Sequence, residues 1–118
     1  INFFFNNKFM DKKNIILAFG NKEFNNSLIE LKNYFNFNLE TINDLEEDNI
    51  FQYYQGLIIH EDALKQKILK NILKNQNINK IIFHNSKNIK GFEKIEKLQL
   101  PASVNQINNI IVNNIVKR

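Results

Sequence analysis

Three short apolar runs decide most of what this chain can become: residues 14–19, 56–59 and 80–84. Each ends abruptly at glycine or polar residues, and each is followed by a stretch that can turn into a helix. A run of three to five apolar residues is too short for a buried helix and fits a strand buried on both faces, as in a parallel sheet. The middle run is the clearest. In Tyr54-Gln55-Gly56-Leu57-Ile58-Ile59-His60-Glu61-Asp62-Ala63, three aliphatic residues give way to three polar or charged ones. In open α/β sheets, ligands bind outside the carboxyl ends of such strands, so a site is expected here.

The remaining segments supply the partners. Residues 23–35 read as a helix with Phe24, Leu28, Leu31 and Phe35 on one face, capped by Asn21 and favoured by Glu23 in its first turn. Residues 38–42 read as a strand and 44–53 as a short helix with Leu45, Ile50 and Phe51 inward. Asp62 is expected to cap a helix over 63–74, whose stripe is Leu64, Ile68, Leu69, Ile72 and Leu73. Residues 86–91 leave room for one or two helical turns. Residues 94–100 alternate polar and apolar as an edge strand does, and Pro101 ends it. The last helix, 102–116, turns Val104, Ile107, Ile111 and Ile115 inward. Strands alternating with helices predict a parallel sheet with right-handed crossovers. The expectation is a flavodoxin-like, doubly wound, five-stranded sheet of order 2-1-3-4-5 with a shortened fourth helix. This domain spans residues 14–118. Residues 1–13, with Phe3, Phe4, Phe5, Phe9 and Met10, read as an extra packed element, or else as an arm docking on a second copy or a partner.

Composition narrows the chemistry. The 118 residues carry a net charge of +4, but the lysines are scattered and the only arginine is Arg118. Arginine is the residue expected for phosphate and base recognition, so nucleic-acid binding is not expected of this domain. With no cysteine, disulfides and thiolate chemistry are excluded, and two histidines alone do not suggest structural zinc. No apolar stretch reaches the ~18 residues of a membrane span, and residues 1–5 lack the features of a signal peptide. A cytoplasmic protein without a cofactor is the expectation.

In element order and spacing the chain resembles the receiver domain of bacterial response regulators over roughly residues 14–117. The local matches are NIILAFGNKEF (14–24), YQGLIIHEDAL (54–64) and LPASVNQINNII (100–111). The family holds Mg²⁺ with two acidic residues after the first strand and an aspartate ending the third, which accepts the phosphoryl group. A hydroxyl residue after the fourth strand and a lysine after the fifth bind the phosphoryl oxygens. Three carboxylates suit a hard cation, and the cation and lysine neutralise the transferring charge.

Carried over position by position, the acidic pair falls on Phe19 and Gly20, the phosphoacceptor on His60, the hydroxyl on Asn85 with Ser86 next, and the lysine on Leu100. A one-residue slip brings in Glu61 or Ser86 but restores no acidic pair, because residues 14–21 contain no Asp or Glu. The resemblance therefore implies a degenerate receiver: a signalling module, not an enzyme, that binds a partner protein or a second copy of itself without phosphorylation. The alternative is a small-ligand or metal sensor in which His60, Glu61 and His84 share one crevice at the strand ends. An orthodox phosphoacceptor is the least expected reading.

Overall fold

The three apolar runs become the middle of a parallel sheet. In the computed structural model, which describes residues 11–45, 49–87 and 89–117, the strands are β1 (Ile15–Phe19), β2 (Asn38–Ile42), β3 (Gly56–His60), β4 (Lys80–His84) and β5 (Glu96–Gln99). All pairings are parallel and the order is β2-β1-β3-β4-β5, the flavodoxin-like topology that the alternation predicts. Phe3, Phe4, Phe5, Phe9 and Met10 lie outside the described residues, as does the side chain of Ile50.

Alternation along each strand divides the core into two layers. Ile16, Ala18, Ile58, Ile81 and Phe83 face one side and pack under helices α1 (Lys22–Leu31) and α3 (Val104–Ile111). Leu17, Phe19, Leu57 and Ile59 face the other and pack against Phe51, Ala63 and helix α2 (Leu69–Lys74). Gly56 is buried because the last helical segment crosses directly over it. A Cβ there would meet the Ile115 side chain at 2.6 Å.

The helix starts follow local chemistry. The Asn21 side chain accepts the Phe24 N–H at 2.9 Å, as expected of an N-cap. Ser103 and Gln106 form a reciprocal capping box at the start of α3, with bonds of 3.1 and 2.8 Å. Ser103→Ala should cost about 1 kcal/mol, seen as a lower urea midpoint at unchanged slope.

Several elements are shorter than the sequence suggests. The helix expected over 23–35 is α-helical only to Leu31; Lys32–Tyr34 is a 3₁₀ turn, and Phe35 is buried in extended backbone. Within 44–53 the described helix is a 3₁₀ turn, Asn49–Tyr53. The expected 63–74 helix breaks in two: Glu61–Lys65 is 3₁₀, Gln66 is extended, and α2 starts at Leu69. Ala63 and Leu69 are both fully buried against the same layer. In one continuous helix they would point about 120° apart, so the break lets both reach the core. Strand β5 covers four of the seven residues expected, and the last helix ends in a π turn, Val112–Val116.

The largest departure is between β4 and β5. No helix forms there among the described residues, where a short one was expected. The connection is instead tied down at both ends. Near its start it binds the Glu61 carboxylate; near its end the Lys97 ammonium donates to the carbonyls of Phe92 and Ile95. Among the described residues, no helix is long and apolar enough to cross a membrane.

Candidate functional site

The carboxyl ends of β1, β3 and β4 meet where the topology predicts a site. Phe19 ends β1 with its ring turned down into the core, fully buried and 5.1 Å from the Phe51 ring. Gly20 follows at φ +120°, a conformation that side chains rarely adopt. A Cβ at Gly20 would lie 2.9 Å from both Cβ and O of His60. The turn after β1 is thus pressed against the end of β3. At these two positions there is neither a carboxylate nor room for one. The Mg²⁺ implied by the resemblance does not fit the residues present.

His60 is buried on the helix α1 side of the sheet. Its ring lies 5.0 Å from that of Phe24, which also contacts Phe83 edge-on at 5.5 Å. His60 Nδ1 accepts the Asp62 N–H at 3.1 Å, which caps the 3₁₀ turn. The residue expected to do this capping, Asp62, turns outward instead. Its Oδ2 accepts from Asn21 Nδ2 at 2.7 Å and lies 3.6 Å from His60 Nδ1. Asn21 therefore does two jobs, capping α1 and tying the β1 turn to the β3 turn.

His84 goes to the opposite face. The β3–β4 register sets His60 beside Phe83, so His84, one residue on, points to the other side of the sheet. There Nδ1 of His84 lies 2.6 Å from the Ser86 carbonyl, to which it donates. The shared crevice for His60, Glu61 and His84 is not formed. Among the described residues, no group of three His, Cys, Asp or Glu side chains is placed to hold a metal ion.

Glu61 is the residue whose role the sequence conceals. Its Oε2 accepts the N–H groups of Asn85 (2.6 Å) and Ser86 (3.0 Å), and its Oε1 accepts the Ser86 hydroxyl (2.7 Å). The donors at the end of β4 converge on an anion, and that anion is a side chain of the same molecule. Leu100 carries no charge; its N–H donates to the His84 carbonyl at 2.7 Å and its side chain packs on the core layer under α1 and α3.

Burial raises the Glu61 pKa, but the bonds from Ser86 Oγ, Ser86 N and Asn85 N, aided by the nearby His60, outweigh it and leave it below the usual glutamate value. The stability this contributes is present above the unfolded-state pKa and is lost as pH falls through the lower folded-state pKa. Glu61→Gln should therefore flatten the acid limb of a stability-against-pH curve, read from urea midpoints between roughly pH 3 and 6.

The geometry is that of a closed clamp. Three segments remote in sequence, the turns after β1, β3 and β4, are locked together by two carboxylates from adjacent residues. A scan against protein-family models matches none, and a search of curated proteins returns no match.

Proposed function

We propose that this domain is a receiver-like signalling module that works by binding a partner protein, a second copy included, without being phosphorylated. The observation that carries this reading is the Glu61 carboxylate seated on Asn85 N–H, Ser86 N–H and Ser86 Oγ. An incoming anion would have to displace a tethered carboxylate that already satisfies those donors. Phe19 and Gly20 supply nothing to hold the divalent cation such chemistry needs. Fold alone does not assign function, so the reading rests on these residues. The connection between β4 and β5, held by Glu61 and Lys97 and without a helix among its described residues, is the proposed contact surface, together with the exposed edge positions Glu96 and Gln99.

The test is an NMR titration of ¹⁵N-labelled protein with Mg²⁺ and then beryllofluoride, a phosphoryl mimic. The amides of Gly20, His60, Glu61, Asn85 and Ser86 should not show saturable shifts. Saturable shifts at those amides would identify a working phosphoacceptor and end the proposal.

A further inference from the structure

At the other end of the sheet, below the starts of β4 and β5, lies a cleft of about 830 Å³. That volume falls in the usual range for small-molecule sites. Its wall comes from four places in the chain: the end of α2, the α2–β4 turn, the segment entering β5 and the end of the last helix. Lys74, Lys80, Lys94 and Lys117 all line it, against a single carboxylate side chain among the described residues, Glu96.

A lysine near a helix end often does no more than offset the negative end of the helix dipole. Here that task is largely met. Lys80 Nζ donates to the carbonyls of Asn75 (2.8 Å) and Ile78 (3.0 Å), and the N–H of Asn75 closes back on Asn71 and Ile72. At the other helix end, the Lys117 N–H bonds the Val112 carbonyl. The side chains of Lys74, Lys94 and Lys117 make no hydrogen bond or ion pair among the described residues. Lys80 is half-buried with only carbonyls for partners, and burial lowers its pKa, as expected of a cation short of a counter-charge.

Between the ammonium groups the wall is amide and aliphatic. Gln76, Asn79 and Asn113 offer donors and acceptors, while Ile78 and Ile95 offer apolar surface. Side-chain amides pair with the edge of a heterocycle, and lysines act as point charges toward phosphate.

We infer that this cleft binds a small organic polyphosphate of nucleotide size, its phosphates held by Lys74, Lys94 and Lys117 and its organic part lying against Ile78 and Ile95. The site is separate from the Glu61 clamp and does not depend on the reading given for it.

The test is an NMR titration at low ionic strength with ATP, inorganic tripolyphosphate and a glutamate-rich peptide as probes. ATP should give saturable shifts at Gln76, Lys94, Ile95 and Asn113, weakening with added salt. Tripolyphosphate should shift the lysine segments more weakly and leave Ile78 unmoved. Lys94→Gln and Lys117→Gln should each weaken ATP about threefold and together about tenfold, as expected for exposed charge contacts. Both sites are on the surface, and a dispersed spectrum for each variant confirms that it has folded. No saturable shift, shifts unchanged by the lysine substitutions, or tighter binding of the acidic peptide than of ATP would each overturn the assignment.

Discussion

Phe19→Asp is expected to leave the chain largely unfolded. The substitution puts an acidic residue where the resembled family has one. In this chain, though, the side chain at position 19 points into the core layer shared with α2 and is fully buried against Phe51. Removing the ring alone costs about 3–5 kcal/mol. A carboxyl group with no partner there adds about 1–3 kcal/mol more, even if it stays protonated. The sum rivals the ~5–15 kcal/mol that holds a domain of this size together. Phe19→Leu keeps most of the apolar volume and should cost only about 1–2 kcal/mol. Circular dichroism and urea unfolding of the two variants check the pair. A folded Phe19→Asp protein that gains Mg²⁺ affinity would mean that position 19 faces the strand-end crevice.

Gly20→Ala should be the next most damaging change, at about 3 kcal/mol. Two costs combine. The backbone at φ +120° is one that alanine adopts only under strain, worth about 1–3 kcal/mol. The new Cβ would also sit 2.9 Å from the backbone oxygen and Cβ of His60, atoms at the end of the central strand, which is flanked by β1 and β4 and cannot easily move. Gly91 gives the contrast. Its φ is also positive, +92°, but a Cβ added there would have nothing within 4 Å, so Gly91→Ala should show the conformational cost alone. Urea midpoints for both variants test the difference. Equal losses would show that the contact with His60 contributes nothing.

Much of the fold was legible because the informative residues are local. Leu57-Ile58-Ile59 between Gly56 and His60 can hardly be anything but a buried strand, and Asn21 before Lys22-Glu23 signals a helix start. The site was less legible because it depends on register. His60 and His84 both end apolar runs, and on sequence alone they read as sharing a crevice. Pairing His60 with Phe83 sends them to opposite faces, and a one-residue shift is invisible in composition or periodicity. The split between Glu61–Lys65 and α2 was hidden for a similar reason. The need to bury both Ala63 and Leu69 arises only once the sheet is in place. The sequence offers Glu61 as a ligand beside His60 and His84 but not as a clamp, since its three donors lie 24 and 25 residues away, two of them main-chain N–H groups that every sequence possesses.

The clamp at Glu61 is the centre of the functional reading, and the most direct test is a ¹³C-detected pH titration of its carboxyl group. The Asn85 and Ser86 amide protons are followed in the same samples. The structure predicts that Glu61 titrates below the ordinary glutamate value and that both amides move with the same midpoint as their acceptor is protonated. A Glu61 carboxyl that titrates at or above the ordinary value, with the two amides unmoved, would mean that the donors at the end of β4 are open to another anion, and the proposal of a self-occupied receiver-like site would fall.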